Sequence, residues 1–352
     1  IVASVPLDDL DRVLLSEQVA LTIPALAALA RRGVPVHFLD TLGRPLADCL
    51  ALLRLRRAIR QQRPDIVHTH SSKAGFLGRL AARAAGVPRI VHTPHGHVFH
   101  GYFSAVATHA FSLMERVAAP WTDRIITLSD EEAKDHLRRG IGTPGQFVTI
   151  PSGVDLAAVQ SATPTRLVPD GPVVGAVARL VPVKGLHHLI DAAPIVLRHC
   201  PRARFLLVGE GEMRPALEAR ARARGLQAHI LFTGFREDVA SVMAGTDLVV
   251  LPSINEGMGR VLVMAMALGK PIVASRVGGV AELLGEGEAG ILVPPGDPAA
   301  LAEAISTLLR DSQRARTLGD AGRRRAPRYS AEAMLEALAK LYHEVMADAR
   351  TR

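Results

Sequence analysis

Residues 253–264 read SINEGMGRVLVM, and this stretch decides the fold class of the chain. It follows the apolar run Leu248–Leu251, which is typical of a buried parallel strand, and it leads into a helix-like segment. A carboxylate, Glu256, and two glycines, Gly257 and Gly259, therefore stand where a strand ends and a helix begins. In open α/β sheets, ligands bind at the carboxyl ends of strands, and the free N–H groups of a helix start suit a phosphate or a sugar hydroxyl.

Strand-like and helix-like segments alternate over nearly the whole chain, which predicts an α/β fold with parallel sheets. A length of 352 residues also exceeds the roughly 250–300 residues that one core usually supports. Thr, Pro, Asp and Gly gather at residues 158–171 and predict a linker. We therefore predict two Rossmann-like domains that face a cleft. The first comprises residues 1–157, with the C-terminal helix at 331–352 packing back on it, and the second comprises residues 158–330.

Composition narrows the classes of partner. The net charge is +8 and the pI about 10.1, which suits an anionic membrane or a lipid diphosphate as well as an ordinary surface of charged helices. Aromatic residues make up only 4% and no stacking motif appears, so we expect no nucleic-acid partner. Cys49 and Cys200 stand far apart, which fits a reducing compartment. We expect a protein of the cytoplasm or of the inner face of the cytoplasmic membrane.

Three motifs of the second half follow predicted strands. In ARLVPVKG (178–185), Arg179 and Lys184 flank a helix that begins near Lys184, where cations and the helix dipole can hold a diphosphate; the alternative is a pair of solvated surface charges. Gly209 and Gly211 resemble half of a dinucleotide fingerprint, but the full pattern and a Walker A motif are absent, which argues against a nicotinamide dehydrogenase. The turn TGFR (233–236) either shapes a base pocket or is an ordinary strand-to-helix turn.

Histidines gather after two strands of the first half. The members of this group and their polar neighbours are His68, His70, Ser71, Ser72, Lys73, His92, His95, His97 and His100. A metal site is one interpretation, because His is a common ligand. No carboxylate or Cys is interleaved, however, so we favour a group that lines a cleft and hydrogen-bonds hydroxyls and phosphate, and we expect no metal.

Together these motifs resemble the retaining nucleotide-sugar glycosyltransferases of family 4, which have the GT-B fold. The resemblance extends over almost the whole chain. The segments that carry it are DIVHTHSSKAGFLGR (65–79), TPHG (93–96), IPSGVD (150–155), ARLVPVKG (178–185), LLVGEGE (206–212), TGF (233–235), LPSINEGMGRVLV (251–263), GKPIVAS (269–275), GGVAELL (278–284) and GILVPPGD (290–297).

The resemblance implies a role for each matching residue. Arg179 and Lys184 would grip the donor diphosphate, and Glu256 would contact hydroxyls of the donor sugar. His95 would lie near that sugar and support transfer. The implied nucleotide-sugar residues are Arg179, Lys184, Gly234, Phe235, Glu256, Gly257, Met258, Gly259 and Met264, and the implied acceptor-side residues are His70, Ser71 and Lys73. No cofactor is expected, because cations and a helix dipole can neutralise the leaving diphosphate.

The chain departs from the family pattern at two points. The family places a second Glu eight residues after the first, where it binds the ribose; here that position is Met264, whose thioether is only a weak acceptor. The family also opens with a strand and a glycine-rich loop, whereas this sequence opens within the short strand-like run Ile1–Val5. We therefore expect an N-terminal truncation that removes the first βα unit.

The sequence thus predicts a retaining hexosyltransferase that moves a sugar from a nucleotide-diphosphate sugar, UDP- in preference to GDP-, to a glycan or polyprenyl-diphosphate-linked acceptor in surface polysaccharide biosynthesis. Peripheral contact with an anionic membrane follows from the basic charge. The alternatives are a sugar-nucleotide epimerase of the same fold and a degenerate, non-catalytic nucleotide-sugar-binding protein.

Overall fold

The structure is a computed structural model, and it describes residues 13–16, 36–39, 45–95, 105–168 and 170–347. The chain divides into two compact units. The first unit is Ile1–Gly153 together with Ala331–Arg352, and the second is Val154–Ser330. The sequence had suggested a first boundary slightly later, after residue 157.

The first unit is built on a parallel sheet. Its strands, in spatial order, are β3 (Ile66–His70), β4 (Arg89–Thr93), β5 (Arg124–Thr127) and β6 (Phe147–Thr149), and a separate parallel pair is formed by β1 (Val13–Ser16) and β2 (Val36–Leu39). Its helices α1 to α4 are Pro45–Gln62, Ser72–Ala85, Ala105–Ala118 and Asp130–Arg138. Ser129 caps α4, because its side chain accepts a hydrogen bond from the Glu132 N–H at 3.2 Å.

The second unit contains six parallel strands. They are β7 (Val173–Val177), β8 (Arg204–Val208), β9 (Ile230–Gly234), β10 (Leu248–Leu251), β11 (Ile272–Ser275) and β12 (Ile291–Val293). Their spatial order is β9-β8-β7-β10-β11-β12, so the third, second and first strands lie on one side and the later three on the other. This is the Rossmann order, and the order reverses between β7 and β10.

Helices cover the sheet of the second unit. Helices α5 to α12 are Leu156–Gln160, Leu186–His199, Arg214–Ala223, Val239–Ala244, Arg260–Ala267, Val280–Leu283, Pro298–Arg310 and Ser312–Arg325. β10 and β11 are buried along their whole length, as a parallel strand covered on both faces requires. Leu189, Ile190 and Val196 of α6 pack in the same core as Phe205 and Leu207 of β8. That core fixes the directions of the loops at the sheet edge.

The C-terminal helix α13 (Ala331–Ala347) belongs to the first unit. It packs its apolar side against the first sheet in one buried cluster. The members of that cluster are Val91, Ile126, Ile150, Met334, Leu335, Leu341 and Val345. The chain therefore leaves the first unit after Gly153 and re-enters it at Ala331 to complete its core.

Three local features differ from the sequence predictions. The helix expected near Lys184 begins at Leu186, because Gly185 adopts a left-handed conformation with φ of 61° after the short turn Pro182–Lys184. Helix α5 overlaps the expected linker, since the Asp155 side chain caps it by accepting from the Ala158 N–H at 2.9 Å. Strand β1 was not predicted. The predictions for Ile1–Val5, Gly96, His97, His100 and Phe103 lie outside the described residues.

Candidate functional site

Two loops meet where the strand order of the second unit reverses. The loop after β7 carries Arg179 and Lys184, and the loop after β10 carries Ser253 to Gly259. A backbone hydrogen bond joins them, because the Ile254 N–H donates to the Val183 carbonyl oxygen at 2.8 Å. Ligands of open α/β sheets bind in the crevice at such a reversal. The two motifs singled out in the sequence are therefore neighbours.

The charged centre of these loops is an ion pair. Lys184 Nζ lies 2.5 Å from Glu256 Oε1, and the Ser253 hydroxyl donates to the same oxygen at 2.8 Å. Ser253 and Glu256 are buried, and Lys184 is partly buried. Both contacts use Oε1, so within the described residues Oε2 keeps its capacity to accept a hydrogen bond from a ligand hydroxyl. The two contacts fix the orientation of the Glu256 side chain.

An uncapped helix start lies beside the ion pair. Gly259 has φ of 82° and precedes α9, and neither a side-chain cap nor an acidic residue in the first turn occupies the start of this helix in the described structure. The Leu262 N–H donates to the Gly259 carbonyl oxygen at 2.8 Å, so the Arg260 and Val261 N–H groups are the ones of that turn available to an anion within the described residues. Gly257 is held by the loop after β11, because its carbonyl oxygen accepts from the Gly279 N–H at 3.0 Å.

Gly185 allows the two loops to touch. A Cβ atom at this position would collide with the Pro252 carbonyl oxygen, and the left-handed backbone of Gly185 also disfavours any other residue. The absence of a side chain therefore sets the distance between the Lys184 turn and the β10 loop.

Gly209 and Gly211 have a role that the sequence analysis missed. A Cβ atom at Gly209 would collide with the Ala178 carbonyl oxygen, and one at Gly211 would collide with the Leu180 carbonyl oxygen. The Leu180 N–H also donates to the Glu210 carbonyl oxygen at 2.8 Å. These glycines thus hold the backbone on both sides of Arg179. Gly-x-Gly directly after a strand can thus indicate close contact between backbones as well as a dinucleotide fingerprint.

The remaining donor-site candidates differ in exposure. Arg179 is exposed and makes no ion pair within the described residues, so its guanidinium is available to a ligand. Phe235 is 75% exposed, and Gly234, with φ of 77°, borders the Glu210 and Arg214 side chains. Phe235 is therefore not a core residue, as it would be in an ordinary strand-to-helix turn with a buried Phe, and its ring is accessible to a ligand.

The two methionines of residues 253–264 differ in burial. Met258 is buried and lies among the core residues rather than at the surface. Met264 is half-buried in the second turn of α9.

The first unit brings together three of the predicted histidines. His70 Nδ1 lies 2.7 Å from His95 Nε2, and the two rings stack with centroids 4.9 Å apart. The rings of His68 and His70 lie 4.2 Å apart. Burial, together with the neighbouring His95, lowers the pKa of His68 to about 3, and burial holds the pKa of His70 well below 6.5. Both imidazoles are therefore neutral at physiological pH.

His92 is a core residue. It is fully buried, its Nδ1 lies 2.9 Å from the Thr69 hydroxyl, and its Nε2 lies 3.7 Å from Glu115. Arg79 holds the other oxygen of Glu115 at 2.7 Å. Burial and the charge of Arg79 keep the pKa of His92 well below 6.5. His92 therefore belongs to the core of the first unit.

The other acceptor-side candidates, Ser71 and Lys73, make contacts with different parts of the first unit. Ser71 has φ of 58°, its N–H donates to the Thr93 carbonyl oxygen at 2.9 Å, and its hydroxyl donates to the His70 carbonyl oxygen at 2.7 Å. Lys73 forms an ion pair with Asp48 of α1 at 2.7 Å. No group of three or more His, Cys, Asp or Glu in the described part of the chain has a geometry that could hold a metal ion.

Two family profiles divide the chain between them. One described as Glycosyltransferase Family 4 matches residues 16–158, and one described as Glycosyl transferases group 1 matches residues 171–311. The two matches fall on the two halves of the chain that the sequence analysis separated.

Individual proteins similar to this chain are also glycosyltransferases. The chain is 32% identical over 261 residues to the UDP-Gal:alpha-D-GlcNAc-diphosphoundecaprenol alpha-1,3-galactosyltransferase of Escherichia coli. The aligned region covers 70% of this chain and 67% of that relative. The chain is also 32% identical to the phosphatidyl-myo-inositol mannosyltransferase of Mycobacterium leprae, over 95% of this chain and 88% of the relative. The crystal structure of Anabaena HepE in complex with UDP superposes with a TM-score of 0.76 and 25% identity, covering 94% of this chain and 92% of that chain.

These matches, with two parallel-sheet units, define a glycosyltransferase of the GT-B fold that uses nucleotide sugars. The chain belongs to glycosyltransferase family 4. The predicted α/β fold class, family and hexosyltransferase activity are thereby confirmed.

The contact at Gly185 predicts a stability difference between two glycine variants. Gly185→Ala should lower the free energy of unfolding by about 3 kcal/mol or more, because a left-handed backbone and a collision with Pro252 add together. Gly225→Ala is the matched control, since Gly225 has φ of 69° with open space around it, and it should cost about 1 kcal/mol. Urea unfolding measures both. Equal losses would show that the contact at Pro252 does not constrain the loops.

Proposed function

We propose that this protein is a retaining glycosyltransferase that moves a sugar from a UDP-sugar to a glycan or polyprenyl-diphosphate-linked acceptor in surface polysaccharide biosynthesis. The observation that carries the proposal is the Lys184–Glu256–Ser253 cluster beside the uncapped start of α9. UDP is favoured because HepE was crystallised with UDP and the Escherichia coli relative is named for UDP-Gal. That relative's name also contains a diphosphoundecaprenol acceptor.

The donor diphosphate needs positive charge and hydrogen-bond donors. Lys184 is already paired with Glu256, so it offers its remaining N–H donors with little net charge. Arg179 is unpaired within the described residues, and its planar guanidinium suits a phosphate. The first turn of α9 adds free N–H groups and the positive end of a helix dipole. Together these groups would stabilise the negative charge that develops on the leaving diphosphate.

Glu256 of the second unit would position the donor sugar, and the histidines belong to the first unit. Glu256 Oε2 would accept from a sugar hydroxyl while Lys184 and Ser253 hold Oε1. We assign Glu256 this positioning role and not that of a nucleophile. His95 and its partner His70 would hydrogen-bond sugar or acceptor hydroxyls, because imidazole nitrogens can act as donors or acceptors.

The reaction would proceed on one face of the sugar. The bond from the anomeric carbon to the diphosphate oxygen breaks, and its electron pair stays on the phosphate as an oxocarbenium-like centre develops. The acceptor hydroxyl forms the new bond from the same face, and its proton passes to the oxygen of the leaving phosphate. This order of events retains the anomeric configuration and needs no protein nucleophile.

Helix α1 suits the membrane side of a lipid-linked acceptor. Leu50 and Leu53 are 54% and 59% exposed, and the exposed Arg54, Arg57 and Arg60 follow on the same helix. Asp48 is the one acidic residue of α1, and Lys73 neutralises it. Exposed apolar and cationic side chains on one helix favour an anionic lipid surface. No helix among the described residues is long and apolar enough to span a membrane.

The activity predicts acceptor-dependent release of UDP. Purified protein should release UDP from a UDP-sugar only when a polyprenyl-diphosphate-linked sugar is added, and Lys184→Gln should lower kcat/KM roughly 10- to 150-fold, equivalent to about 1.5–3 kcal/mol for one lost charged hydrogen bond. Lys340→Gln is the control, since Lys340 is exposed on α13. Conversion of the UDP-sugar without acceptor would indicate an epimerase. Donor binding with no turnover would indicate a non-catalytic binding protein.

Met264 predicts a weakened ribose site. If the ribose docks against the second turn of α9, Met264→Glu should tighten UDP binding by about tenfold, or 1.4 kcal/mol, because a carboxylate accepts the ribose hydroxyls that a thioether does not. Isothermal titration calorimetry measures the change, and Met264→Gln separates hydrogen bonding from charge. Unchanged affinity in both variants would mean that the ribose lies elsewhere.

Helix α1 predicts vesicle binding that depends on anionic lipid. Replacing Arg54, Arg57 and Arg60 by Gln should weaken binding to phosphatidylglycerol-containing vesicles by about hundredfold, since each cation near the surface contributes about 1 kcal/mol. The matched control replaces the exposed Arg314, Arg316 and Arg324 of α12 and removes the same charge. Equal weakening in both triple variants would refute a role specific to α1. Sedimentation with vesicles gives the bound fraction.

A further inference from the structure

We propose that Tyr342, on the C-terminal helix α13, is a positioning residue that orients His95 through the side chains of His68 and His70. The inference rests on the role proposed above for His95. All four residues belong to the first unit, and the inference concerns contacts within it. Their sequence separation hides the connection, because Tyr342 lies in the last helix of the chain.

Tyr342 reaches the histidines from the core. Its ring packs against the buried cluster that α13 shares with the first sheet. Its hydroxyl oxygen lies 2.6 Å from His68 Nδ1, and the two rings meet edge to face with centroids 5.8 Å apart. The apolar part of Tyr342 thus anchors the helix, while its hydroxyl presents a polar group to β3.

His68 is held at both ring nitrogens. Nδ1 faces Tyr342, and Nε2 lies 2.7 Å from the hydroxyl oxygen of Thr93, the last residue of β4. An imidazole with a partner on each nitrogen can neither rotate nor flip without losing a hydrogen bond. His68 therefore forms a fixed platform at the carboxyl edge of β3 and β4.

The His70 ring transmits this order to His95. It lies over the His68 ring at 4.2 Å, stacks on His95 at 4.9 Å, and shares a 2.7 Å hydrogen bond with His95 Nε2. His95 needs such support, since its φ of 61° is unfavourable for a residue with a side chain. The contacts from Tyr342 to His95 are continuous.

The protonation states decide which group donates each hydrogen bond between Tyr342, His68 and Thr93. Burial raises the pKa of Tyr342 above its usual value of 10, so its hydroxyl keeps a proton at neutral pH. Burial lowers the pKa of His68 to about 3, so His68 has one N–H and one lone pair. With Tyr342 as the donor to Nδ1, the proton of His68 resides on Nε2 and is donated to Thr93. Removing the Tyr342 hydroxyl leaves Nδ1 without its donor.

The variant Tyr342→Phe tests the proposal by imidazole ¹⁵N NMR of histidine-labelled protein without donor. The wild type should show His68 protonated at Nε2. Tyr342→Phe should mix the two tautomers of His68 and shift or broaden the His95 resonances. The control is Tyr329→Phe, which removes a hydroxyl from a buried Tyr of the second unit and should leave these resonances unchanged. An unchanged His95 spectrum in Tyr342→Phe would overturn the proposal, whether or not the protein transfers sugar.

Kinetics separate positioning from general stability. Tyr342→Phe should lower kcat about tenfold and leave the donor KM within about twofold, because the donor diphosphate groups are intact. Thr93→Val removes the other anchor of His68 and should have the same effect, which keeps the test available if Tyr342→Phe folds poorly. Wild-type kcat in a folded Tyr342→Phe protein would overturn the proposal. A wild-type protein that is inactive on every donor and acceptor would refute the proposed function instead. The NMR result would then still show whether Tyr342 orients His95.

Discussion

Close approach of backbone to backbone at glycine is the constraint on which the edge of the second unit depends. The loop after β7 is bounded on one side by Gly209 and Gly211 and on the other by Gly185, and each of these glycines lies against a carbonyl oxygen that leaves no space for a Cβ atom. The backbone hydrogen bonds between neighbouring loops add to this arrangement. Arg179 and Lys184 are thus carried on a scaffold held by backbone and not by flexible side chains.

Of three charged side chains at this edge of the second sheet, two are paired with each other and one is not. Lys184 and Glu256 largely neutralise each other, while Arg179 remains exposed and unpaired in the described structure. A buried or half-buried ion pair adds little net stability, because desolvation offsets the attraction. The ion pair instead fixes the orientation of the Glu256 side chain, because it holds one carboxylate oxygen in place. In the proposed function, the unpaired Arg179 and the start of α9 would supply the net positive potential for a diphosphate.

Much of the fold followed from the sequence for a clear physical reason. Parallel strands covered on both faces are continuous apolar runs, so segments such as Leu248–Leu251 were predicted within a residue of their bounds. The proximity of Lys184 and Glu256 also followed, because the carboxyl ends of neighbouring strands meet at one edge. The start of α6 did not, since the left-handed turn at Gly185 is decided by the contact with Pro252. Tyr342 could not be found, because its partner is distant in sequence and its own pattern is that of a core residue.

The return of α13 to the first unit has a consequence for how the protein forms during synthesis. The second unit is one continuous segment and contains its own core, so it can fold as soon as its last strand and helices have been made. The first unit cannot close at that stage. Val91, Ile126 and Ile150 lack their partners until Met334 to Val345 have left the ribosome. The part of the chain made first is thus the part completed last, and the apolar face of its sheet is covered only when the final helix has been made.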